Sequence, residues 1–237
     1  ATAIKTLRQA YEMGYDFFDT AEAYTGIFPD GTVSYNEELV GAALKGVRDK
    51  VVIATKMGVH HNEDLSLRLD SRPETIRSSV ETSLKRLGTD YIDLYYQHRI
   101  DPTVEPETVA ETMAQLIKEG KIRYWGISET TEEYLRRANA VCPVTAIENR
   151  YSMMARWHEK IFPVCEELNV AYVAFSPMAN GFLTGTRTRN LRGNRTTVPV
   201  CRSTHRKDTK KQKPFWSCSL VWHRKRTLQW DSFPLRG

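Results

Sequence analysis

Over the first 185 residues, short apolar-rich runs alternate with longer stretches in which apolar residues recur every three or four positions. The first pattern is that of a strand buried on both faces, and the second that of a helix with one buried side. The alternation predicts strands at Tyr15–Phe18, Val51–Ala54, Tyr91–Tyr96, Tyr124–Ile127, Val144–Ile147 and Ala171–Phe175. Between them it predicts helices at Ala3–Met13, Asn36–Leu44, Pro73–Leu87, Glu105–Lys118, Glu132–Ala140 and His158–Leu168. The third of these helices carries the full set of signals. Pro73 suits the first helical position, Ile76, Val80, Leu84 and Leu87 form one stripe, and Gly88 stops it.

Six βα-type repeats with short links predict a parallel sheet with helical crossovers. An open doubly wound sheet and a closed eight-stranded barrel both fit that pattern. The GxGxxG phosphate turn of the open sheet is absent, while polar residues end nearly every strand: Asp19, Lys56, His98, Ser128, Glu148 and Ser176. Chemistry spread over many strand ends favours a (β/α)8 TIM barrel. The barrel is expected to be incomplete, because the chain opens within a helix and no segment after Phe175 reads as an eighth strand.

Composition narrows the function classes. The net charge of +5 suggests a polyanion partner until the chain is divided. From Arg187 onward 14 Lys and Arg face only Asp208 and Asp231, a net of +12, which leaves 20 against 27, or −7, for residues 1–186. The body is acidic and the tail basic. No apolar stretch approaches the roughly 18 residues of a membrane span, and no signal-peptide pattern opens the chain, so a cytoplasmic protein is expected. Cys142, Cys165, Cys201 and Cys218 stand singly, without the spacing of a metal site, and are expected to be free thiols.

The segment DFFDTAEAY, residues 16–24, ends a strand on Asp19 and sets Tyr24 five positions later. Two other strands run into Lys56 and His98. In parallel strands these four polar groups converge. Taken singly, a strand-end histidine is most often a structural hydrogen-bonder and a lysine a solvated charge. Tyr11, Tyr15, Tyr35, Tyr95, Tyr96, Tyr151 and Tyr172 read as packing residues, and His60, His61 and His158 as surface or loop histidines. Met153 and Met154 are expected to line an apolar surround.

Together with NEELVG, KVVIATK, RPETIRSSVETSLKRLGTDYIDLYYQHR, EGKIRYWGIS and VAFSPMANGFLTG, in that order, this segment resembles the aldo-keto reductases over residues 1 to about 185. The resemblance implies a barrel that binds NADPH and reduces an aldehyde or ketone, with a catalytic set at Asp19, Tyr24, Lys56 and His98. Chemistry agrees with those types. An oxygen that gains charge at a reduced carbonyl needs an acid, and a phenol of pKa about 10 serves only if tuned. A neighbouring ammonium at Lys56 would lower it, Asp19 would hold that ammonium, and His98 could hydrogen-bond the carbonyl oxygen. No metal is needed.

The same resemblance implies nicotinamide contacts from Ser128 and Glu148, stacking from Phe175, and a pyrophosphate approach at Ser176, Met178 and Gly181. Many relatives carry Asn and Gln where this chain has Glu129 and Glu148; a carboxylate accepts from an amide but cannot donate to its oxygen. Ile27 and Phe28, just past Tyr24, are expected to wall a substrate pocket. A non-catalytic regulatory role is the alternative, since some family members resemble the β subunits of potassium channels and bind cofactor to sense redox state.

Two organisational units are expected, a partial barrel at 1–186 and a basic segment at 187–237. The tail lacks either hydrophobic period. A nucleic-acid role for it is disfavoured, because unstructured positive charge binds polyanions indiscriminately. Codons for Trp222 to Arg236 read one nucleotide earlier permit LAQKKNATMGQFSLA, which resembles the family helix after the cofactor loop. A frameshift near residues 186–190 is therefore expected, with the loop that grips an adenosine 2′-phosphate lost.

Overall fold

The computed structural model describes residues 2–28, 30–62 and 66–184. They fall into two compact units, one of the described residues within 2–150 and 156–175, the other of residues 151–155 and 176–184. The tail from residue 187, and the frameshift expected there, lie outside the described residues.

In chain order the elements are α1 (Thr2–Glu12), β1 (Phe17–Asp19), β2 (Thr25–Ile27), β3 (Val33–Tyr35), α2 (Asn36–Leu44), β4 (Val52–Met57), β5 (Val59–His61) and β6 (Leu67–Leu69). There follow α3 (Pro73–Leu87), β7 (Ile92–Gln97), α4 (Pro106–Lys118), β8 (Ile122–Ser128), α5 (Glu132–Val141), β9 (Ala146–Arg150), α6 (Phe162–Leu168) and β10 (Ala171–Phe175). Six strands make one parallel sheet in the order β1-β4-β7-β8-β9-β10, a curled half-barrel. The six predicted strands are these six.

The differences in extent have physical causes. Strand β4 runs through Lys56 to Met57, because its backbone stays paired with β7 as far as Gln97. Helix α6 starts at Phe162 with Pro163 in its first turn, and a short 3-10 turn, Glu159–Ile161, occupies the segment before it. Two antiparallel hairpins, β2–β3 and β5–β6, occupy stretches that hydrophobic periodicity leaves blank. The first has its signal in Asp30-Gly31, a favoured hairpin pair. Thr32 N–H bonds Asp30 Oδ1 at 2.9 Å and Gly31 takes φ 84°. Tyr15, read as a packing residue, is exposed on the turn before β1.

Register sorts the two faces of the sheet. Asp19 pairs with Ala54, Lys56 with Tyr96, Tyr96 with Gly126, Ser128 with Glu148, and Glu148 with Val173. Paired residues in a parallel sheet share a face, and so do residues two apart. Asp19, Lys56, Tyr96, Ser128, Glu148 and Phe175 therefore all lie on the inner face. On the same face Tyr96 joins a small apolar cluster with Ala54, Leu94 and Ala146, with Phe17, Ala171 and Val173 against it. The alternate residues, among them Ile53, Tyr95, Trp125, Ile127 and Ile147, join the larger core under the helices, with Val80, Met113 and Leu135.

The N-terminal ends of the strands are tied by charge. Asp93, at the start of β7, accepts from Ile53 N–H at 2.9 Å, pairs with Arg48 at 2.6 Å and with Arg123 at 3.0 Å. Both guanidinium groups lie over the Tyr91 ring, at 4.0 and 3.9 Å from its centroid. That knot links β4, β7 and β8 at the end remote from the polar strand ends. Cys142 and Cys165 are free and buried, as expected. Among the described residues no helix is long and apolar enough to cross a membrane.

Candidate active site

Beyond β1 the chain continues beside β4, with Thr20 N–H bonding Ala54 carbonyl at 2.9 Å and Glu22 N–H bonding Lys56 carbonyl at 3.1 Å. Tyr24 closes a turn on Ala21 at 3.0 Å, and its own carbonyl accepts from Asn36 N–H at 2.9 Å. The phenol is thereby held over the end of β4. On the neighbouring strand His98 N–H bonds Met57 carbonyl at 2.9 Å, which fixes the histidine just past β7.

Lys56 is the centre of the arrangement. It is 1% exposed, far below what a free ammonium tolerates, so its partners decide its state. It forms a hydrogen-bonded ion pair with Asp19 Oδ2, donates to Thr20 carbonyl at 3.0 Å and lies 3.4 Å from Glu148 Oε2. Its Nζ stands 5.4 Å from the Tyr24 ring centroid and 5.9 Å from that of Tyr96. The Tyr24 and His98 rings meet edge to face at 5.7 Å. The four residues expected to converge do so.

Electrostatics follow from this crowding. Burial alone would lower the Lys56 ammonium, but Asp19 and Glu148 outweigh it and hold the group above its usual range. Burial raises the Asp19 carboxyl against the pull of Lys56. Burial likewise raises Glu148, to about 7, with Lys56 opposing and Asp19 reinforcing. The Tyr24 phenol is raised rather than lowered: burial leads, and Asp19 and Glu148 oppose its ionisation, while Lys56 and Arg99 favour it. Lys56 acts in the expected sense but is outweighed, first by burial of the phenol and then by Asp19 and Glu148.

Three groups at this site escaped sequence reasoning. Arg99 donates to His98 carbonyl at 2.7 Å and to Ser128 Oγ at 3.1 Å, and lies 6.0 Å from the Phe175 ring centroid. Arg150 approaches the same ring at 5.1 Å. Tyr96, counted as packing, is buried beside Lys56, with Glu148 and Asp19 acting on its phenol. Its signal was available: it lies on β7, two positions before His98. His158, read as a loop residue, lies near Asn149, 3.3 Å from Nδ1 to the side-chain amide. Met153 and Met154, expected to line an apolar surround, are exposed at 39 and 38% and belong to the second unit.

Ser176, Met178 and Gly181 also belong to the second unit. There Ser176, Ala179, Asn180 and Gly181 all have positive φ, and Gly181 N–H bonds Met178 carbonyl at 3.0 Å. Left-handed backbone at three non-glycine positions is costly and concentrates where a loop has a task.

Comparison with known proteins gives this constellation a context. The model of the aldo/keto reductase family matches residues 1–228. The chain belongs to the aldo/keto reductase family. The match runs past residue 185, where the recognised motifs stop. A probable aldo-keto reductase 1 of Glycine max is 41% identical over 184 residues, which are 77% of this chain and 51% of that one. The chain thus spans about half the length of that curated relative. A glycerol dehydrogenase from Gluconobacter oxydans superposes with a TM-score of 0.80 at 28% identity, covering 94% of this chain and 69% of that one. An aldo/keto reductase from Klebsiella pneumoniae, solved with NADP and acetate, gives 0.64 at 28% identity, over 78% of this chain and 62% of that one. The half-barrel is accordingly part of this family's (β/α)8 barrel.

Proposed function

We propose that this chain carries the catalytic centre of an NADPH-dependent reductase that converts an aldehyde or ketone to an alcohol. One observation carries it: a fully buried lysine, ion-paired to Asp19, placed against the ring of a half-exposed tyrosine at the mouth of the sheet. Such a lysine has no packing purpose that an apolar side chain would not serve better.

The inner face also fits a nicotinamide cofactor. Glu148 Oε2 is buried without a hydrogen-bond partner, an acceptor suited to an amide NH2, and Ser128 Oγ lies on the adjoining strand at the paired position. Phe175, at the end of β10, would stack on the ring. Ser176, Met178 and Gly181 would attend the pyrophosphate. When bound, reduced nicotinamide supplies a hydride to a carbonyl carbon. The carbonyl oxygen then takes the phenolic proton of Tyr24, and the resulting phenolate is balanced by Lys56 until solvent reprotonates it. Asp19 keeps Lys56 charged and aimed. His98, edge to face with Tyr24, would orient the carbonyl oxygen.

The same proposal takes residues 1–186 as the barrel portion and 187–237 as a separate basic segment. Its test is a fluorescence titration with NADPH, run beside consumption of NADPH over a panel of aldehydes and ketones. Binding with turnover is expected. Binding without turnover would favour a regulatory role, and no binding would remove the cofactor from the proposal.

A further inference from the structure

Lys56 is a shared charge. Asp19 and Glu148 both draw on it inside the half-barrel, and a phenolate at Tyr24 would be a third claimant. Glu148 is 5% exposed on β9, on the inner face, and its Oε2 lies 3.4 Å from the ammonium, an ion pair without hydrogen-bond geometry. We propose that Glu148 is a positioning residue for the reduction, sharing Lys56 with Asp19 and setting by its own protonation how much of the lysine charge acts on Tyr24. This inference rests on the reductase function proposed above.

The charged and titratable groups that face Glu148 are Lys56 from β4, Asp19 from β1, Tyr96 from β7, Arg99 just past β7, and Tyr24. Burial brings the carboxyl to about 7, so its charge changes within the working range of an enzyme. With Glu148 neutral, the ammonium answers to Asp19 and Tyr24. With Glu148 ionised, a second carboxylate holds the ammonium and its negative charge opposes the phenolate. Proton donation from Tyr24 is therefore expected to weaken as pH rises through about 7. A carboxamide at this position could touch a nicotinamide equally well but could not switch.

The experiment follows the phenolate absorbance of Tyr24, isolated as the difference between the native chain and Tyr24→Phe, in the native, Glu148→Gln and Glu148→Asp backgrounds. Glu148→Gln is expected to lower the Tyr24 midpoint by about one pH unit, and Glu148→Asp to leave it near the native value. In carbonyl reduction the native kcat should fall between about pH 6 and 8, and Glu148→Gln should lose that limb. Equal Tyr24 midpoints in native and Glu148→Gln proteins would overturn the proposal, as would a change in KM for NADPH with the midpoint unmoved. Should the glutamine variant not fold, a carbon-13 NMR titration of the native chain decides. A Glu148 midpoint near 7 supports the proposal, and one in the ordinary carboxylate range defeats it. A shifted tyrosine midpoint without turnover in any background would leave the shared lysine standing and remove the reductase function.

Discussion

Removing only the hydroxyl of Tyr24 separates the proposed proton donation from packing, since the ring edge against His98 is kept. Tyr24→Phe is expected to lower carbonyl reduction by about 10²–10⁴-fold while leaving NADPH affinity nearly unchanged, as steady-state rates beside a binding titration would show. Full activity in that variant would exclude the tyrosine as donor. At this scale much of the centre was legible in the chain. Asp19, Tyr24, Lys56 and His98 are polar groups at or just past strand ends, and a parallel sheet brings such ends together whatever its loops do. What escaped was the second coordination of the lysine. Glu148 was identified, yet its grip on Lys56 depends on curvature that carries β9 around to β4, which a linear pattern does not contain. Arg99 escaped for the same reason, because its partner Ser128 is 29 residues away on the next strand.

Among the elements, the long periodic helices and the six parallel strands were predicted to within a few residues, for burial on one or both faces writes itself into the sequence. The hairpins were not, because short exposed strands carry no burial pattern: every residue of β2 is exposed. Only a turn dipeptide marks the first of them. That hairpin holds Ile27 and Phe28, exposed at 76 and 55%, just beyond Tyr24. Exposed apolar side chains beside a proposed donor suit substrate contact. Exchanging both for alanine should change KM across a carbonyl panel by severalfold with smaller effects on kcat, and an unchanged panel would count against a substrate role. Strand β8 makes a different demand. A Cβ on Gly126 would lie 2.4 Å from Tyr96 Cε1 and 2.5 Å from Ala146 carbonyl oxygen, so the ring of Tyr96 occupies the space that any side chain would need. Gly126→Ala is expected to cost about 1–3 kcal/mol in a denaturant melt, with Tyr96 displaced from beside Lys56.

At the scale of the molecule, the half-barrel leaves β1 and β10 as its two edge strands among the described residues. Burial is uneven across it. Helix α1, packed against α2, has no buried residue, whereas α3 and α4 bury a full stripe each. The charged knot at Asp93 stands in the better-buried part. Cutting it by Asp93→Ala would take the carboxylate from Arg48 and Arg123 and leave Ile53 N–H unmet, while Arg48 keeps Thr89, Val51 and Tyr91 as acceptors, so a loss of about 1–3 kcal/mol is expected in equilibrium unfolding. Cofactor affinity measured well below the new melting point should be little changed, since the knot sits at the opposite end of the strands.

That separation of ends has a consequence for how such a protein can vary. Strand alignment is held at the N-terminal end by Asp93 with Arg48, Arg123 and Tyr91, none of which faces the chemistry. The residues at the other end are therefore released from the duty of keeping the strands in step. A lineage can exchange a glutamine for a glutamate beside the lysine, or trade one hairpin tip for another, and alter the chemistry at that end without renegotiating its architecture each time.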